Sequence, residues 1–163
     1  MELGELVRAA QGGDTLALNE LLDQLAPYVG RICGPIALGN GADATQEALV
    51  VIVRSLRTLR DPAAVFGWAR TIAAREAVRV ARRDERQVPG ELGELPDRGD
   101  PQLSVDVRDV LARLSPEHRA VLVLRDLEGL DEQTAAALLD VPAGTVKSRL
   151  HRARASFRKA WSS

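Results

Sequence analysis

Thr145, Lys147, Ser148, Arg149 and Arg152 lie within eight residues of one another near the C-terminal end of a 163-residue chain. At 100° per residue Thr145, Ser148, Arg149 and Arg152 recur at i, i+3, i+4 and i+7, with Lys147 at their flank, so one helix face would carry short hydroxyls beside long cations. Arginine can form paired hydrogen bonds to guanine in a major groove, and serine or threonine can bond a base edge or a phosphate. Val146, Leu150, Ala153 and Phe157 fall at i, i+4, i+7 and i+11, a stripe that has to be buried. A helix buried on one side and cationic on the other is either a recognition helix or a solvated charged face. A second set, Arg75, Arg79, Arg82 and Arg83, shares one helix face about a third of a turn from Val65, Ala69, Ile72, Ala73 and Val80.

Elements to position these residues are legible around them. Asp14 can cap a helix bearing Leu18, Leu21, Leu22 and Leu25, with a kink expected at Pro27 and a break over Gly34–Gly41. Asp43, three residues before Gln46, has capping-box spacing and predicts a helix to about Leu59. Another helix is expected over 63–83. Ser115 followed by Pro116 reads as a cap and first helical residue, Gly129 as a stop, and Asp131 as the next cap. That helix ends near Asp140 and Val141, and a last one runs from after Pro142 to about Trp161. Two short helices joined by a tight turn have the layout of a helix-turn-helix. Apolar residues recur at three- and four-residue spacing nearly throughout, so the fold class is all-α.

Two small helical domains are expected, 1–84 and 107–163, joined by an acidic linker over 85–106. Within it Gln87–Pro101 holds three prolines and three glycines and reads as a flexible connector. Residues 84–106 carry seven acidic and two basic groups, whereas 144–163 carry six basic and no acidic ones, a contrast hidden by the net charge of −1. Two basic faces beside an acidic connector could fold back on themselves, so the free protein should bind DNA weakly.

Composition excludes other classes. The longest apolar run, Ala48–Val53, is far short of a membrane span, so no membrane insertion and a cytoplasmic location are expected. Cys33 is the only cysteine and His118 and His151 the only histidines, which leaves no basis for a metal or other cofactor. Cys33 reads as a small buried hydrophobe. Glu117, Asp126 and Glu128 read as solvated charges with no cleft implied, and the chain is not expected to be an enzyme.

The stretch LSPEHRAVLVLRDLEGLDEQTAAALLDVPAGTVKSRLHRARASFR, Leu114–Arg158, closely resembles the C-terminal DNA-binding domain of bacterial RNA polymerase sigma factors of the extracytoplasmic-function class. Asp140 stands where that family often has glycine, and aspartate tolerates the left-handed backbone such a turn needs. DATQEALVVIV, Asp43–Val53, is similar to the family's polymerase-docking helix. The resemblance implies that Asp43, Gln46 and Glu47 bind the polymerase clamp helices, while Leu49, Ile52 and Val53 are expected to be buried. FGWARTIAAREAVRVARR, Phe66–Arg83, resembles the helix that reads the promoter minus-10 element, which makes Arg75, Arg79, Arg82 and Arg83 DNA-backbone contacts. Arg75 replaces a residue that is often asparagine in the family. The melting loop implied at about Thr58–Val65 has no aromatic of its own and would borrow Phe66, while Trp68 is expected in the core.

The resemblance thus implies a sigma region 2-like domain that docks on core RNA polymerase and opens the minus-10 region, and a region 4-like helix-turn-helix that reads the minus-35 region beside the polymerase flap. It also implies an anti-sigma factor as a further partner. The alternative is a helix-turn-helix regulator that binds an operator as a dimer. The connector's charge fits a path along basic channels later taken by nascent RNA. Replacing Glu91, Glu94, Asp97 and Asp100 together by lysine should therefore depress transcription initiation, and unchanged transcript yield in a reconstituted assay would refute that path.

Overall fold

The computed structural model describes residues 1–87 and 105–162; of the expected connector, 88–104 lie outside the described residues, whereas 85–87 and 105–106 are helical. Within the described residues there are helices and turns and no strand, as the periodicity requires. A first unit contains α1 (Leu3–Gln11), α2 (Thr15–Ala37), α3 (Gly41–Ser55) and α4 (Val65–Gln87). A second contains α5 (Val105–Ala112), α6 (Pro116–Leu122), α7 (Glu132–Leu139) and α8 (Ala143–Ser162). α1 was not signalled by any cap. It is set by Leu6, Val7 and Ala10, which are buried against α2.

Asp14 caps α2 as expected, accepting from the Ala17 N–H at 3.1 Å. The helix then continues through both Pro27 and Pro35, and its buried residues Leu21, Leu25, Val29, Ile32 and Ile36 form one stripe along its length. The break expected over Gly34–Gly41 is confined to a 3-10 turn at Leu38–Asn40, where Leu38 itself takes φ 53°. The two flanking glycines have a different use. A Cβ on Gly41 would stand 3.2 Å from the Cα of Gly34, so α2 and α3 touch backbone to backbone there. Gly41, Ala44, Ala48 and Ile52 form the buried face of α3, and small residues at three of these four positions permit the close approach. Asp43 is not a cap, because the helix already begins at Gly41. Its exposed side chain sits in the first turn. α3 ends at Ser55, and a 3-10 turn at Leu56–Thr58 follows.

Val65, Ala69, Ala73, Ala74, Ala77 and Val80 bury one face of α4 against α2 and α3, and Ile72 and Trp68 pack partly buried at its margins. Cys33 is buried beneath this helix with its thiol directed at the Ala73 carbonyl oxygen, 3.6 Å away, and burial pushes its pKa up to about 12. α4 continues past its expected end at Arg83.

In the second unit the Ser115 hydroxyl accepts from the His118 N–H at 3.1 Å, and Pro116 takes the first helical position. α6 runs into one π-helical turn, Val123–Leu127, before Gly129 stops the chain at φ 71°. Val121, Leu124, Ala135, Leu138, Val146, Leu150 and Ala153 form the core between α6, α7 and α8. No described helix is long and apolar enough to cross a membrane.

The two units pack together through α2 and α4 on one side and α6 and α7 on the other. Arg119, only 5% exposed, sits at that seam. Its Nε donates to the Ile36 carbonyl in the last turn of α2 at 2.8 Å, and its Nη1 donates to the carbonyls of Leu111 and Leu114. Burial lowers its pKa to about 10, so it stays charged at neutral pH. A buried cation is tolerated where carbonyl dipoles and a helix C-terminus surround it. Arg119→Ala strands three carbonyls and should reduce stability by about 2–4 kcal/mol in a chemical denaturation curve.

Candidate nucleic-acid interface

The turn before α8 is built from side-chain and backbone caps. Asp131 accepts from the Thr134 N–H at 2.7 Å, and that backbone bond holds its carboxyl below the ordinary aspartate range. Asp140 closes α7 in the left-handed region (φ 59°, ψ 46°), as its residue type allows, and the Val141 N–H bonds the Ala136 carbonyl at 3.0 Å. The Pro142 carbonyl then accepts from Thr145 at 2.9 Å and opens α8. Val146, Leu150 and Ala153 are buried and Phe157 half-buried, so the stripe expected from spacing is present.

Opposite that stripe Lys147, Ser148 and Arg152 are exposed, and Thr145 and Arg149 are half-buried at the edges. Ser148 donates to the Thr145 carbonyl at 3.1 Å, which leaves its oxygen free to accept from outside. Arg154 is different: it pairs with Asp126 and is held to its own unit. The α8 face therefore presents cations and hydroxyls on a rigid, capped scaffold, the requirement for reading a groove.

On α4, Arg75, Arg79, Arg82 and Arg83 all have partners within the chain. The Nε of Arg75 donates to the Leu138 carbonyl at 2.7 Å and its Nη2 to that of Ala137 at 3.3 Å, so it grips the C-terminal end of α7. Arg79 pairs with Glu76 at 2.8 Å and Glu47 at 2.9 Å. Arg82 donates to Glu117 from Nε at 2.6 Å and to Glu85 from Nη1 at 3.1 Å. Arg83 takes both oxygens of Glu47, at 3.2 and 2.8 Å. α4 thus contacts the second unit with Arg75 and Arg82 and α3 with Arg79 and Arg83.

On α3, Asp43 and Gln46 are exposed and Glu47 is half-buried. The burial expected for the apolar half holds for Ile52, while Leu49 is half-buried. It fails for Val53, which is 40% exposed beside Val50 at 44% because the buried stripe passes through Ala44 and Ala48 instead.

Phe66 stands edge-on to Tyr28, ring centroids 5.5 Å apart, at the start of α4. The Tyr28 hydroxyl donates to Glu128 Oε1 at 2.5 Å, and Arg70 lies 3.5 Å from that hydroxyl and 3.8 Å from Glu128. Burial and the Glu128 carboxylate raise the Tyr28 pKa. The loop before α4 is anchored from α1, since Gln11 Nε2 donates to the carbonyls of Leu56 and Leu59, each at 2.9 Å. Asp61 caps its 3-10 turn on the Ala63 N–H.

Sequence reasoning missed the seam. Glu117, Asp126 and Glu128 are ion-paired rather than simply solvated, and Glu117 and Glu128 meet partners on the other unit. Tyr28, Arg70, Arg119 and Gln11 gave no periodic signal. The one readable clue was that Glu117 and Glu128 flank a helix rich in buried aliphatics. Among the described residues no group of three histidine, cysteine or acidic side chains could hold a metal ion.

Burial raises the Glu117 pKa, but Arg82, a backbone N–H and Arg149 together bring it below the ordinary value of 4.5. Its contribution is therefore fully present above that value and is lost as pH falls through the lowered one, so the seam should hold down to about pH 5. In X-ray scattering the wild type should show a radius of gyration of about 15 Å. Glu117→Lys with Glu128→Lys sets like charges against Arg82 and Arg70 and should enlarge the radius with helicity unchanged.

Comparison with known proteins places this geometry in a context. The sigma-70 region 4 family matches residues 104–157. The chain is 30% identical to the ECF RNA polymerase sigma-E factor of Escherichia coli K12 over 172 residues, 91% of this chain and 88% of that protein. It is 33% identical to the ECF RNA polymerase sigma factor SigE of Mycolicibacterium smegmatis, over 90% of this chain and 63% of the relative. Among solved structures it resembles the sigma factor RpoE in complex with the anti-sigma factor NepR from Bartonella quintana, with TM-score 0.67, 21% identity, and 88% and 96% of the two chains covered. It also resembles CnrH in complex with the cytosolic domain of CnrY, with TM-score 0.64, 23% identity, and 96% and 95% covered.

Proposed function

Because the chain belongs to the extracytoplasmic-function class of RNA polymerase sigma factors, we propose that it binds core RNA polymerase in the cytoplasm and directs it to its own set of promoters. It acts as a non-enzymatic specificity subunit. The observation that carries this reading is the α8 face: Thr145, Lys147, Ser148, Arg149 and Arg152 presented over a buried stripe by a capped helix-turn-helix. Among these, Arg149 and Arg152 supply base or phosphate contacts in the minus-35 major groove, Thr145 and Ser148 short bonds at its edge, and Lys147 a phosphate contact.

In this reading Asp43, Gln46 and Glu47 meet the clamp helices of polymerase, and the second unit meets the flap. Arg75, Arg79, Arg82 and Arg83 hold the backbone of the minus-10 DNA once their internal partners are displaced. Phe66, released from Tyr28, stacks against an unpaired base at the loop before α4. Arg75 and Arg82 are engaged with the second unit, so binding at minus-10 requires the two units to separate. An anti-sigma factor is the natural inhibitor of such a chain, holding it away from polymerase. The dimeric operator-binding regulator is not favoured, because the sigma-factor relatives match α1–α4 as well as the helix-turn-helix.

The test is transcription by purified core polymerase with and without the protein on a pool of promoter fragments from its own genome, followed by transcript sequencing. New start sites preceded by two spaced motifs are expected. Arg149→Ala with Arg152→Ala should reduce those transcripts at least about tenfold, from contacts of about 1–3 kcal/mol each, and relax the upstream motif. No new starts, together with no binding to core, would refute the reading.

A further inference from the structure

The carboxylate of Glu47 is gripped from two turns of the same helix. Oε1 accepts from Arg79 Nη2 at 2.9 Å and Arg83 Nη1 at 3.2 Å, and Oε2 accepts from Arg83 Nη2 at 2.8 Å. Two-point guanidinium binding is also how an arginine takes a phosphate, so Glu47 occupies the Arg83 fork as a nucleic-acid backbone would, while Arg79, whose Nε and Nη2 both donate to Glu76, gives it one bond. The contact is accessible: the Glu47 side chain is 33% exposed, Arg79 50% and Arg83 43%. Pairs of this exposure are weak and can be exchanged without unfolding anything. Glu47 stands on the same exposed end of α3 as Asp43 and Gln46, so a basic surface arriving at those residues competes with Arg79 and Arg83 for one carboxylate.

We propose that Glu47 is a coupling residue that neutralises Arg83 and shares Arg79 with Glu76 in the free protein and, when polymerase docks on α3, turns to the polymerase and frees Arg83 and one bond of Arg79 for DNA. The proposal rests on the reading of α3 as the docking helix and of α4 as a DNA contact. It makes the two faces one linked system: docking strengthens DNA binding by α4, and DNA on α4 strengthens docking by the same factor. Glu76, the other carboxylate on Arg79, lies on α4 itself and is more buried, so it stays with the helix in either state.

The measurement is fluorescence anisotropy of a short labelled single strand of mixed sequence titrated with the free protein over a range of salt. Glu47→Gln keeps the side chain's size and removes its charge, and it should bind about three- to tenfold tighter than wild type, with the log-log salt slope steeper by about 0.7 for the one net cation released. Glu47→Ala should gain at least as much. In an Arg79→Ala, Arg83→Ala background the gain should vanish. Equal affinity of Glu47→Gln and wild type, or a gain that survives in that background, would overturn the proposal. Core binding is measured separately with Asp43→Ala and Gln46→Ala. If neither weakens it, the docking assignment falls and the coupling with it, whatever DNA affinity Glu47→Gln shows. If they weaken core binding and Glu47→Gln shows no gain, the docking assignment stands and the coupling alone is lost.

Discussion

A single buried guanidinium determines how the two halves of this molecule meet. Arg119 bonds the last turn of α2 and the two carbonyls that end α5, so the α5–α6 corner of the second unit is fixed on the C-terminus of a helix in the first. A lysine could not satisfy three carbonyls from one planar group in this way. With that corner fixed, α6 and α7 come to rest on α4, and Glu117, Glu128 and the carbonyls of Ala137 and Leu138 find arginines or a tyrosine waiting. The outer ion pairs, Arg82 with Glu117 and Arg70 with Glu128, are partly exposed, with side chains 21–40% accessible, and in the proposed reading they are the contacts that give way when the seam opens.

In the proposed reading the same set of arginines serves two states. Closed, the cationic face of α4 is matched by carboxylates and carbonyls of the chain itself, and in that reading a protein of net charge −1 carries a DNA-contacting helix without attracting nucleic acid indiscriminately. Open, those groups are offered to phosphate. α8 has fewer internal partners on its reading face, so its assignment depends less on any rearrangement. This asymmetry follows from burial: α4 lies between the two units, whereas the polar side of α8 faces outward.

Much of the local architecture was legible. Asp14, Ser115 and Asp131 cap as their types and positions demand, Asp140 takes the left-handed turn, and the stripe Val146, Leu150, Ala153 is buried. What was not legible depended on contacts distant in sequence. Asp43 has capping-box spacing, but tertiary contact at Gly41 starts the helix earlier. Pro27 predicts a kink and Gly34–Gly41 a break, yet α2 continues through Pro27 and Pro35 because packing along its whole stripe outweighs two lost backbone bonds. Glu117 and Glu128 have the composition of surface charges, and only the placement of α2 and α4 makes them partners. The exposed polar face of α8 follows from periodicity alone, and the pairing of Glu47 with Arg79 and Arg83 needs the crossing of α3 over α4.

The buried sulfur of Cys33 bears on how such a protein could be informed of its surroundings. Burial pushes its pKa up to about 12, which keeps the thiol protonated at neutral pH, and the residue has no exposed surface for peroxide or disulfide exchange. The chain has no second cysteine to resolve an oxidised one. Cys33 is therefore a poor handle for thiol chemistry, and in the proposed reading a chemical stimulus is relayed as release from, or capture by, a binding partner.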